Sequence, residues 1–240
     1  MEQLDQIVNT ISLAMGAAWA SGINLYAAIL VLGLLGITEN IVLPANLQLL
    51  MNPLVIGAAG VMYIVEFIVD KMPGVDTGWD TFHTFIRIPA GVLMAAGAVG
   101  DVNPSLALTA GILGGGLAAG AHATKSGSRI IINTSPEPLT NWTASVVEDI
   151  LVIGGLWTAL HYPWLFIALM IVFILLMIWV LPKLWRGIKK VFGFIGGLFG
   201  YGKTDKPSQY GRPDNTVCGA NSAHDRDESE KKIEKLNGRF

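Results

Sequence analysis

The chain has 240 residues, of which 52% are apolar and only 14% charged, with 28 glycines, whereas a soluble domain is about a quarter charged. Mean hydropathy is +0.53, which excludes an ordinary soluble globular protein. The formal net charge of −2 hides a segregation: residues 1–182 hold four Lys/Arg (Lys71, Arg87, Lys125, Arg129) against eleven acids, and residues 183–240 hold twelve against seven.

In chain order, the start Met1-Glu2-Gln3-Leu4-Asp5 lacks the basic region of a secretory signal, so none is expected. Residues 6–36 are too long for one ordinary crossing and are interrupted by Ala20-Ser21-Gly22-Ile23-Asn24. They read as an entering or amphipathic half (6–19) and a crossing (about 22–36), together one broken or re-entrant segment. A bilayer core of about 30 Å needs roughly 20 apolar residues per helix, and 53–69, 85–100, 104–121, 143–160 and 163–181 satisfy that as five further crossings. The expected fold class is therefore all-α, a polytopic helical membrane protein with about six transmembrane helices, seven being the alternative.

Basic residues near helix ends stay in the cytoplasm. Pro182-Lys183-Leu184-Trp185-Arg186 and Lys189-Lys190 follow the last crossing, so the C-terminus should be cytoplasmic. Counting back puts the 70–84 and 122–142 connections inside as well, beside all four basic residues of the body. Residues 183–200 read as a basic juxtamembrane amphipathic segment or an ordinary basic stop with a linker. Residues 201–240 are polar, carry the single cysteine Cys218, and read as a disordered cytoplasmic tail. One cysteine excludes an intrachain disulfide framework.

Ionisable groups at membrane depth cost roughly 2.5–3.5 kcal/mol each on insertion scales, so each needs a partner or a task. Glu66 and Asp70 lie four apart near the end of the second crossing. If 76–88 is helical, Asp76, Asp80, His83 and Arg87 share one stripe. His122, Lys125 and Arg129 share another, followed by Asn133 and by Pro136 and Pro138, which exclude a continuous helix into the fifth crossing. The fifth crossing brings Glu148 and Asp149. Both clusters fall on one side and can meet. They supply either ion pairs that lock a bundle or a polar cavity. Arg87, Lys125 and Arg129 suit a phosphate or carboxylate, with His83, His122, Asn24 and Asn133 as further substrate contacts. The carboxylates Glu66, Asp70, Asp76, Asp80, Glu148 and Asp149 suit proton or cation coupling, or Mg²⁺ as a cofactor. The strings Ala20–Asn24 and Ala119-Gly120-Ala121-His122 hint at a duplicated architecture. No nucleotide fingerprint or nucleophile elbow is present, and no nucleic-acid partner is expected.

Gly22-Ile23-Asn24-Leu25-Tyr26-Ala27, Pro73-Gly74-Val75-Asp76, Trp79-Asp80, His83-Thr84, Arg87, His122, Lys125, Arg129, Asn133, Ser135-Pro136-Glu137-Pro138, Asn141, Ser145 and Glu148-Asp149 form a pattern that resembles a family of small bacterial membrane proteins, domain of unknown function 4126, over about residues 10–180. The resemblance implies a polytopic inner-membrane protein and brings no activity or catalytic residue. The function expected from the residues is a small transporter or flippase with a cytoplasm-facing cavity for an anionic substrate, such as a phosphate-bearing lipid, working as a homodimer. The alternatives are a metal-dependent enzyme acting on a lipid phosphate and a non-catalytic scaffold in the bilayer.

Overall fold

The computed structural model describes residues 1–72, 74–100, 103–133 and 138–198. It contains six long helices and, among the described residues, no strand. They are α1 (Glu2–Ile37), α2 (Pro53–Val69), α3 (Val75–Val99), α4 (Pro104–Ile132), α5 (Pro138–His161) and α6 (Pro163–Leu198), with a 3₁₀ helix (Ala45–Met51) ahead of α2. Proline opens four of them, where its missing N–H costs nothing. Asn52 and Asn103 cap α2 and α4, their side chains accepting from the amides of Leu54 and Ser105. Five helices are long and apolar enough to cross a membrane, or six when the 3₁₀ helix and α2, bent by 64°, count as one span.

α1 is the centre of the bundle, and Gly16–Leu25 is buried throughout. Its helix breaks at Asn24 (φ −145°, ψ 96°), and there the chain doubles back. In a straight helix Thr10 and Ile41 would lie about 46 Å apart, yet both line one cavity of about 340 Å³. Before the break α1 runs antiparallel to α5: Ser12 Oγ donates to the Ala159 carbonyl at 2.8 Å, and Trp19 covers Gly155. After the break it runs antiparallel to α2, with Gly33 against Ile56 and Leu30 near Gly60. Both ends of α1 therefore sit at one end of the bundle, and Asn24 is the apex of a re-entrant hairpin. The expected interruption at residues 20–24 is where the break falls, and the 6–19 half is a full arm that reaches the apex.

Small residues let the backbones close on this hairpin. A Cβ on Gly22 would strike the Ala118 carbonyl and Ala121, one on Gly91 would strike Ala118, and one on Gly114 would strike Ala95. The two glycine-bearing strings thus pack on each other, but α1 breaks at Asn24 while α4 continues past His122 without interruption. They are not equivalent in backbone.

Three expected boundaries change. The third crossing, expected at 85–100, begins at Val75, because Asp76 accepts from the amides of Gly74 and Thr77 and so ties the first turn; Gly74 has φ 85°, which requires glycine. α4 runs through Ile132 where a connection from 122 was expected, its polar end buried among charged partners. The turn or re-entrant loop expected between Asn133 and Asn141 falls mostly on residues 134–137, which lie outside the described residues. α6 continues as helix through Leu198 past Pro182, about 54 Å in length and well beyond an apolar layer of about 30 Å. The chain divides into two units, Met1–Ile195 and Gly196–Phe240; the expected disordered tail at 201–240 lies outside the described residues. The outer faces of α2 (Leu54, Val61, Ile64, Ile68) and α6 (Leu165, Leu169, Val172, Leu176) are apolar and exposed, as a lipid-facing surface requires.

Candidate functional site

The two charged stripes meet. The half of the bundle away from the ends of α1 holds Glu66 of α2, Asp70 at its end, Asp76, Asp80, His83 and Arg87 of α3, His122, Lys125 and Arg129 of α4, and Asp149 of α5, all buried. Glu148 of α5 is partly exposed, its side chain keeping 15% of its surface. Helix rise puts Asp149 about 18 Å from the His161 end of α5, so the charges run from mid-bundle toward the far end.

Arg87 donates to Glu66 Oε1 and, at 3.0 Å, to Asp80 Oδ1. The Lys125 ammonium lies 3.2 Å from Glu66 Oε1, 3.0 Å from Asp70 Oδ2 and 3.5 Å from Glu148 Oε2. Arg129 donates to the Asp70 carbonyl at 2.7 Å and takes Glu148 in its fork, Nε to Oε1 at 3.2 Å and Nη2 to Oε2 at 2.7 Å. Asn133 donates to Asp76 at 2.8 Å, and Asn141 bridges Asn133 and Arg129.

The break in α1 is stitched to this network. The Ala27 amide, which in a helix would bond the Ile23 carbonyl, donates instead to Asn24 Oδ1 at 3.0 Å. The freed Ile23 carbonyl accepts from Lys125 at 3.1 Å, and Asn24 Nδ2 donates to Asp149 Oδ1 at 3.0 Å. Backbone irregularity at membrane depth survives only where such partners satisfy it.

The histidine roles follow from their partners. Arg87 always donates, so His122 Nδ1 accepts from it at 3.2 Å, and the proton sits on Nε2, facing the Asp80 carbonyl at 3.1 Å. His83 Nδ1 donates to the Trp79 carbonyl at 2.9 Å, leaving Nε2 to Tyr26 at 3.1 Å. His83 thus bonds Tyr26 and the Trp79 carbonyl beside the cluster. Lys71 lies between α2 and α3, and burial pulls its ammonium below the usual lysine range against the attraction of Asp149 and Asp70.

Six carboxylates face the three buried cations Arg87, Lys125 and Arg129, with the partly exposed Lys71 beside Asp70 and Asp149 as a fourth. At an effective dielectric of about 20, two like charges 4 Å apart repel by about 4 kcal/mol, so an ionised surplus invites protons or a counter-charge. Three buried oxygens, Glu66 Oε2, Asp70 Oδ1 and Asp80 Oδ2, have no hydrogen-bond partner. Among the described residues no three His, Cys, Asp or Glu side chains form a set fit to hold a metal ion, because Lys125 and Arg87 stand between the carboxylates. A cavity of about 440 Å³ lies elsewhere, lined by apolar residues such as Ile11, Met15, Leu113 and Leu117; no charged group reaches it, and the charged cluster is the better candidate for chemistry.

Every expected site residue is thus found in or beside one network. Tyr26 and Thr84 stand in the family pattern but were given no role in the site, and Tyr63 was passed over. Thr84 bonds His122 at 2.7 Å, and Tyr63 lies beside Asp149. Tyr63 was findable, lying three residues before Glu66 on the same helix face. No curated protein and no solved structure matches the chain. The model of a family described as a domain of unknown function (DUF4126) matches residues 11–183, so this multi-pass helical chain belongs to that family.

Proposed function

We propose that this protein is a small proton-coupled transporter of the bacterial inner membrane, with its charged site opening to the cytoplasm and handling an anionic solute or lipid headgroup. The observation that carries the reading is the surplus of buried carboxylates over cations at the apex of a re-entrant helix. Buried charges that only lock a bundle have to be paired, whereas this cluster holds more acids than cations and so has acids left to take up protons. Asp149 is the strongest proton carrier: its hydrogen-bond partner is the neutral amide of Asn24, with Tyr63 of α2 beside it, so protonating it breaks no ion pair. Asn24 then links that event to the hairpin.

Orientation follows from charge. All eight described Lys/Arg lie in the half of the bundle away from the ends of α1 or on the adjoining end of α6, which favours that end as cytoplasmic. Six helices make a thin wall for a pathway, and two copies joined through their apolar faces would thicken it. Among the described residues the enzyme reading has no metal-binding set to rest on, and the scaffold reading turns on residues 201–240.

The test is reconstitution into vesicles that report internal pH. An inward gradient of inorganic phosphate, or of short-chain phosphatidic acid, should move protons with wild type and not with Asp149→Asn. Wild-type vesicles that move no protons under either gradient would sink the proposal.

A further inference from the structure

Glu148 differs from the other ion-paired acids. Its carboxylate lies side-on against the Nε/Nη2 edge of Arg129, with the Lys125 ammonium 3.5 Å from Oε2. Arginine takes phosphate and carboxylate in this two-point way. The side chains of Arg129 and Lys125 are 0% and 2% exposed, whereas that of Glu148 keeps 15%; Glu66, Asp70, Asp76 and Asp80 keep 4% or less. One carboxylate therefore stands at the mouth of a buried two-cation site.

We infer, building on the transporter reading, that Glu148 is a tethered occupant of an oxyanion site, displaced by a phosphate or carboxylate group when Glu148 is protonated. A neutral Glu148 loses its hold on Arg129, and an incoming monoanion restores it. The net charge of the cluster is the same before and after, so the surplus of carboxylates does not oppose the exchange. The groups facing Glu148 are Arg129 and Lys125 of α4, and beyond them Asp70 at the end of α2, Asp76, Asp80 and Arg87 of α3, Glu66 of α2 and its own neighbour Asp149. Protonating any of the other acids leaves the fork filled. Asp76, for example, is held by the amides of Gly74 and Thr77 and by Asn133. Glu148 alone combines the fork with a partly exposed side chain. Affinity for an oxyanion therefore rises as pH falls.

The test uses the full chain in a neutral detergent and follows its melting temperature as ligand is added, since a ligand of the folded state raises it. The probes are inorganic phosphate, sulfate (whose charge is constant over this range) and dioctanoyl phosphatidic acid. Chloride at matched ionic strength and dioctanoyl phosphatidylcholine are the controls. Glu148→Gln keeps the shape and removes the charge. At neutral pH it should bind oxyanions at least about tenfold tighter than wild type and lose the pH dependence, while wild type should gain affinity on acidification. A response to phosphate and sulfate marks a soluble anion; a response to phosphatidic acid alone marks a lipid headgroup. Adding Arg129→Lys to Glu148→Gln should remove the response. Equal responses of wild type and Glu148→Gln, or none from either, overturn the inference. Should Glu148→Gln fail to fold, a wild-type anion response that ignores pH overturns it instead. Binding is read here without a gradient, so failure here and failure of proton movement in vesicles are separate results.

Discussion

Arg87 is fully buried and holds two carboxylates, Glu66 and Asp80, while its Nε finds no partner. Removing one member of a buried ion pair costs about 3–5 kcal/mol, because the survivors stay charged and alone. Arg87→Ala is therefore expected to lower the melting temperature in detergent sharply, and Arg87→Lys to recover only part of it, since an ammonium cannot span both acids as a fork does. Asn24 works on a smaller scale. Asn24→Ala removes the acceptor for the Ala27 amide and the donor to Asp149, an expected loss of about 1–3 kcal/mol for buried groups left unpaired. An Asn24→Ala protein as stable as wild type would show that the break does not depend on this side chain. The residue types at these positions were readable as anomalies, since charge amid apolar sequence is conspicuous. Their pairing was not readable: nothing in the spacing of Glu66 and Arg87 says that they bond each other, because that contact is made between helices.

Among the elements, α1 carries most of the architecture. Gly22 is where α1 and α4 touch, and a methyl group there meets the Ala118 carbonyl and Ala121. Gly22→Ala should force the helices apart and cost about 1–3 kcal/mol. Gly57 of α2 has nothing within 4 Å of such a methyl group, so Gly57→Ala should be neutral or stabilise by up to about 1 kcal/mol. Equal effects of the two substitutions on thermal unfolding would contradict the packing. Hydropathy located both ends of α2 and the end of α5, because apolar runs and an Asn-Pro start are local signals, but it began the fifth crossing at 143, five residues after Pro138. It cut α3 and α4 short, because their polar ends are buried by partners on other helices, and a hydropathy window reads burial from composition alone.

For the whole molecule, the doubled-back α1 sends the two ends of the bundle chain to opposite faces. A cysteine introduced at Glu2 should react with an impermeant thiol reagent applied outside the cell. The native Cys218 should be shielded, and a fluorescent protein fused after Phe240 should light up in the cytoplasm. Labelling of both cysteines from the same side would refute the re-entrant arrangement or the orientation. By itself the sequence determined the class, a multi-pass helical membrane protein, and named the residues that do not belong in lipid, because insertion energy is set by composition over some twenty residues. Only the tertiary structure decided that α1 turns back at Asn24, that the two charged stripes close on each other, and that five acids share three buried cations while Asp149 bonds Asn24. Those outcomes depend on which helix faces come together, and contacts between segments far apart in the chain are fixed by packing and charge pairing in space.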